Sequence, residues 1–141
     1  MHLHAELTRV LNLAKSDEEL LREMRKGTRY EIRKALKMGI KVYQSEDEKL
    51  IDEFMRLQRE TARREHFVPF SSKYLLEQFR ALNKNKMVKL FYVKEPPISM
   101  AFVIFGRDEA VYHYAASSNE ARKIPAAYAI QWAIIQEAKK Q

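Results

Sequence analysis

Apolar positions along this chain recur first at helical spacing, then in alternation, and finally all round a helix. Leu7–Leu13 alternates weakly and predicts a strand. Ser16 opens S-D-E-E, a capping box with Glu19, which predicts a helix to about Lys26. Thr28 opens T-R-Y-E, a second box, and Gly39 suits the left-handed end of that helix. Ile40–Gln44 predicts a short strand. Ser45 opens a third box, S-E-D-E, before a helix to about Glu65 whose seam is Leu50, Phe54, Leu57 and Thr61. A loop, His66–Phe70, precedes a helix capped by Ser71 or Ser72 and running to about Leu82.

Three strand-like runs follow: Met87–Lys94, Ile98–Phe105 and Ala110–Ser117. Pro96-Pro97 and Gly106-Arg107-Asp108 break them, which predicts an antiparallel meander. The last helix spans Ile124 to Lys139. Its stretch AAYAIQWAII is apolar nearly all round, so it expects cover on more than one side. With the chain ending at Gln141, one of those sides has no obvious partner, and an incomplete domain is the expectation. From Ile40 the order is β-α-α-β-β-β-α, an α/β (α+β) fold with a mostly antiparallel sheet. Residues 1–39, a strand and a helix pair, are expected to be the remnant of a first domain, and residues 40–141 the first half of a second.

Charge changes this picture at one place. Residues 22–41 hold eight cations against two acids, which accounts for most of the chain's net charge of +7. Arg29, Arg33 and Lys37 form an i, i+4, i+8 stripe there. Such a segment attracts phosphate, nucleic acid or an anionic membrane surface, or is simply a solvated helix face. The chain has no cysteine, which excludes disulfides and thiolate metal sites. No apolar run approaches the ~20 residues that span a bilayer, and the first residues lack a signal-peptide layout, so a cytoplasmic protein is expected. No metal site, Ser-His-Asp set, carboxylate pair or phosphate loop is evident, and His66 and His113 read as structural.

Candidate chemistry concentrates in Ala110–Lys140, a strand, a polar turn and a helix. Arg122 and Lys123 stand just before the helix opens at Pro125. Cations there oppose the helix dipole, which favours an anion-site reading. The order and the window R-K-I-P-A-A (122–127) resemble the GNAT acyltransferases, whose Q/R-x-x-G-x-G/A turn holds the coenzyme A pyrophosphate. Pro125 replaces the first glycine and has no N–H to donate.

A closer resemblance is to the Fem family of aminoacyl-tRNA-dependent peptidyltransferases. It is carried by TRYEIRKALKMGIKV (28–42), QRETARREHFVPFSSKYL (58–75) and AVYHYAASSNEARKIPAAYAIQWAIIQEAK (110–139). The family's T-x-R-x-x-x-Y/F element matches Thr61, Arg63 and Phe67. The resemblance implies that Arg63, with Arg64 beside it, meets the phosphate or muramoyl end of a cell-wall precursor and that Phe67 lines the same pocket. It also implies that Tyr112 or Tyr114 is the family's central-strand tyrosine; simple alternation would put both on one face, with His113 on the other. Arg29, Arg33, Lys37, Arg122 and Lys123 are the candidate phosphate or tRNA contacts. No cofactor is implied. The implied partners are aminoacyl-tRNA and a UDP-muramoyl-pentapeptide or lipid-linked precursor, with peripheral contact to an anionic membrane. The implied activity is aminoacyl transfer in peptidoglycan cross-bridge synthesis, the fragment alone being inactive. Two alternatives remain: a GNAT-type N-acyltransferase using acyl-CoA, and a non-enzymatic RNA-binding module using the 22–41 cluster.

Overall fold

A computed structural model describes residues 10–141. Its elements are helices α1 (Asp17–Glu23) and α2 (Lys26–Met38), strand β1 (Val42–Ser45), helices α3 (Leu50–Glu65) and α4 (Ser72–Asn83), strands β2 (Val88–Val93), β3 (Ser99–Phe105) and β4 (Ala110–Ser117), a 3-10 turn (Glu120–Lys123) and helix α5 (Ala126–Lys139). The strands form one sheet in the order β1-β2-β3-β4, every neighbouring pair antiparallel. The β-α-α-β-β-β-α order from β1 is the one that the sequence predicts.

Both faces of the sheet are covered, which is why β2 and β3 read as continuous apolar runs. On one face Leu90, Tyr92, Met100 and Phe102 pack on Ile51, Phe54 and Leu57 of α3 and on Leu75 and Phe79 of α4. On the other, Phe91, Val93, Ala101, Val103 and Phe105 pack on Ala126, Ile130 and Ile134 of α5. The opposite side of α5 carries Trp132 and Ile135, which join Leu20 of α1 and Ile32 of α2 in a separate core. The apolar character all round α5 is thus explained: α1 and α2 cover the side that looked unpartnered in the sequence.

Element starts differ from expectation in three places. Of the expected strand Leu7–Leu13, residues 7–9 lie outside the described residues and residues 10–13 form no strand. Asn12 Oδ1 instead accepts the Ala14 N–H at 3.0 Å in a turn. Helix α1 ends at Glu23 and α2 starts at Lys26, so Thr28 lies inside α2 and is not its cap. Met24 and Arg25 are extended, and the Arg29 guanidinium donates to the Leu21 and Arg22 carbonyls at 3.3 and 3.1 Å. That satisfies the open carbonyl end of α1 and sets the corner between the helices. Ser45 is the last residue of β1, paired with Leu90, and α3 waits until Leu50. Its hydroxyl accepts the Asp47 N–H, and Asp47 Oδ1 accepts the Lys49 N–H, so the capping chemistry serves a turn. Gly39 does take the left-handed end of α2, at φ 68°, and Ser71 caps α4 through the Tyr74 N–H.

Polar ties hold the outer helices on. Lys139 Nζ donates to Asp17 Oδ1 at 2.7 Å, Lys89 Nζ to Glu137 Oε1 at 3.0 Å, and Arg80 grips Glu48 with two bonds. Hydrogen bonds from Lys139, Lys89 and Arg80 respectively hold Asp17, Glu137 and Glu48 below their ordinary carboxylate values of 3.8, 4.5 and 4.5. A lowered folded-state value contributes stability that is present above the unfolded value and lost as pH falls through the folded one. Thermal unfolding midpoints are therefore expected to be flat near neutrality and to fall as pH drops below about 4.5. A midpoint that rises on acidification contradicts these ties. Trp132→Ala is expected to lower unfolding free energy by about 3–5 kcal/mol in urea titrations, because it empties the core between α5 and the α1–α2 pair.

Candidate functional site

The C-terminal half of α3 lies against the chain that leaves β4. Thr61 Oγ1 accepts the Ser117 N–H at 3.1 Å, and its hydroxyl proton is shared between the Leu57 and Ser117 carbonyls at 2.8 and 3.1 Å. Arg64 Nη1 donates to the Ser117 carbonyl at 3.3 Å and to Asn119 Oδ1 at 3.1 Å. Glu60 Oε1 accepts the Asn119 N–H at 2.9 Å. Thr61 and Arg64 are therefore the fasteners of this junction. One turn earlier, Arg56 donates to the Pro97 carbonyl at 2.6 Å and to Glu53 Oε2 at 2.9 Å.

These contacts leave an open groove of about 650 Å³ lined by Arg56, Glu60, Arg63, Arg64 and Asn119. Four of the five stand at helical spacing on one face of α3. Arg63 is exposed and has no hydrogen bond or ion pair among the described residues. Its neighbours Arg56 and Arg64 are already tethered, and Glu60 is engaged by a backbone donor. The arrangement presents Arg63 as a planar cation without a partner among the described residues, on the same groove as two fixed arginines, which suits a phosphate or carboxylate able to accept paired hydrogen bonds. Arg56, Glu60 and Asn119 were not singled out in the sequence. The i, i+4, i+7 spacing of Arg56, Glu60 and Arg63 is a signal that could have marked the first two.

The tyrosines do not line this groove, and they do not share a face. Tyr114 pairs with Phe102 and Tyr112 with Val103, so His113 is the extra residue of a β-bulge. The bulge cancels the expected alternation. Tyr114 meets Phe70 and Phe102 on the α3–α4 face, at ring-centroid distances of 5.0 and 5.6 Å. His113 turns to the same side, 3.8 Å from the Tyr114 ring and 3.0 Å from Gln78 Nε2 through its Nε2. Tyr112, paired with Val103, lies on the α5 face. Burial pushes both phenols above their ordinary value; the Tyr74 hydroxyl adds to this for Tyr114, and Gln131 opposes it for Tyr112.

Phe67 is 46% exposed, one residue past the left-handed His66 (φ 60°) that ends α3. Arg122 and Lys123 stand exposed in the 3-10 turn, without hydrogen bonds or ion pairs from their side chains among the described residues. Behind them Pro125 forms a tight turn in which the Ala126 N–H bonds to the Ile124 carbonyl at 2.8 Å. Neither Pro125 nor Ala126 therefore offers an N–H to a pyrophosphate. Arg33 and Lys37 are exposed on α2, far along the chain from the groove, while Arg29 is occupied with the end of α1. Among the described residues no group of three His, Asp or Glu is placed to hold a metal ion, and no helix is long and apolar enough to cross a membrane.

The junction is expected to depend on one hydroxyl. Thr61→Val removes the acceptor of the Ser117 N–H and should cost about 1–3 kcal/mol in chemical denaturation. Thr61→Ser is expected to keep most of that stability.

The crystal structure of FemX superposes with a TM-score of 0.83 at 20% sequence identity, over 91% of this chain and 48% of FemX. The chain thus spans about half the length of that protein and shares its fold over this half. No curated protein sequence matches. The family model described as the FemAB family matches residues 2–94 and 76–141, nearly the whole sequence in two overlapping parts. The chain therefore belongs to the FemAB family, in keeping with the resemblance of its three motifs.

Proposed function

We propose that the parent activity is transfer of an amino acid from aminoacyl-tRNA to a muramoyl-peptide precursor, and that the α3 groove takes the phosphate end of that precursor. The observation that carries this is Arg63, a groove-lining guanidinium without a hydrogen bond or ion pair among the described residues, at the position that the resemblance to the family's T-x-R-x-x-x-Y/F element matches to the precursor contact. Thr61 and Arg64 act here as positioning residues, since their polar atoms are spent on Ser117 and Asn119. Phe67 follows the left-handed end of α3, four residues after Arg63, and is exposed, although it is not part of the groove's lining. Arg122 and Lys123 are a second set of free cations for phosphate, supplied by the turn after Asn119.

The reaction itself asks for little covalent help. An aminoacyl ester is already activated, so holding the amine and the ester together supplies much of the acceleration. This suits a groove whose lining is three arginines, Asn119 and a Glu60 carboxylate already bonded to the Asn119 N–H. An acyl-CoA donor is less well supported, because Pro125 and Ala126 offer no N–H groups where a pyrophosphate loop would need them.

Titration of the chain with UDP-muramoyl-pentapeptide, followed by NMR, is expected to shift resonances around Arg63 and Asn119. Arg63→Ala should weaken that binding about 10- to 100-fold, the loss of a charge-assisted contact. Unshifted resonances in this region, or equal affinity in the variant, rule the groove assignment out. Coenzyme A is expected to leave the same spectrum unchanged.

A further inference from the structure

We propose that the outward face of α2 is a docking surface for RNA, in which Lys26, Arg33, Lys34 and Lys37 hold phosphodiester groups and Tyr30 stacks on an unpaired base. The identity of the RNA as the aminoacyl donor rests on the function proposed above, whereas the surface is argued from α2 alone.

At 100° per residue, Lys26, Tyr30, Arg33, Lys34 and Lys37 fall within an arc of about 100°, diametrically opposite the buried Ile32 and Ala35. All four cations are exposed, and none has a hydrogen bond or ion pair among the described residues. Glu31, the one acid of the helix, lies outside the arc. Arg29 lies outside it too, turned back onto α1. The stripe read from the sequence thus loses Arg29 and gains Lys26 and Lys34.

Helix stability does not explain this distribution. Lys26 opens the helix behind Arg25, with no side-chain cap and no acid in the first turn. Two cations at a helix N-terminus oppose its dipole. A surface that tolerates that cost is suited to an external anion.

Tyr30 selects among anionic partners. It is 61% exposed in the middle of the cations. An aromatic platform ringed by cations is what unpaired nucleic acid needs, base on ring and phosphate on charge. A membrane-binding helix instead inserts an apolar face beside its cations. On α2 Ile32 packs on Trp132 and Ile135 of α5 and Ala35 is buried, while the exposed Leu36 and Met38 stand on opposite edges of the cationic arc and form no continuous apolar face beside it.

The test is fluorescence anisotropy of the full chain with a labelled RNA stem-loop that ends in an unpaired tail. Binding is expected to weaken with salt at a log–log slope of about −2 to −3, as for three or four phosphates. Lys26→Glu/Arg33→Glu/Lys37→Glu should lose at least tenfold in affinity and flatten the slope, and the milder Lys→Gln/Arg→Gln set should fall in between. Tyr30→Ala should lose about tenfold on the tailed RNA and little on a blunt duplex. Circular dichroism should stay unchanged, because every altered side chain is exposed. Arg63→Ala should keep full RNA affinity, so the groove and this surface fail on different variants. Equal affinity and slope in the charge-reversed chain overturn the proposal. So does a reversal that abolishes binding to phosphatidylglycerol vesicles while RNA binding is kept.

Discussion

Helix α5 has to be covered on two sides, and that requirement ties the molecule together. Ala126, Ile130 and Ile134 face the sheet, while Trp132 and Ile135 face α1 and α2. A helix apolar all round is stable in water only between two layers. The sheet supplies one layer and the basic helix pair the other. The charge of residues 22–41 therefore ends up on the outer surface of a packed unit, with Ile32 and Ala35 of α2 inward and its lysines outward. Asp17, bonded to Lys139, adds a polar tie at the end of the same contact.

The second organising contact is polar. Strand β4 ends at Ser117, whose backbone needs partners once the ladder stops. Thr61 and Arg64 supply them from α3. This small network has a consequence for charge. Arg64 is consumed by structure and Arg56 is held by Pro97, so among the described residues Arg63 is the groove arginine without a hydrogen bond or ion pair. Two arginines adjacent in sequence thus differ in their contacts, decided by which side of a helix faces a strand end.

Much of this was legible in the sequence. Periodicity and turn residues gave the element order, because apolar spacing and Gly/Pro punctuation are local signals. The free arginine was legible only through its motif, since nothing in the residue itself separates Arg63 from Arg64. Element starts were less legible. Thr28 and Ser45 have the right chemistry for caps, yet the corner at Arg25 and the pairing of Ser45 with Leu90 overrode them. The faces of Tyr112 and Tyr114 were not legible at all. A single unpaired residue, His113, shifts the alternation, and no local pattern announces it.

By itself the sequence determined what is local: the helices and strands, the antiparallel meander, the concentration of positive charge, and the motifs of the FemAB family. Tertiary structure decided what depends on neighbours distant in sequence. It decided that α1 and α2 cover α5, that Arg29 caps a helix while Lys26 and Lys34 face solvent, and that Tyr112 and Tyr114 part to opposite faces. The reason is the same in each case. A side chain's period is set by its own backbone, but whether its polar atoms are spent or free is set by the element packed against it.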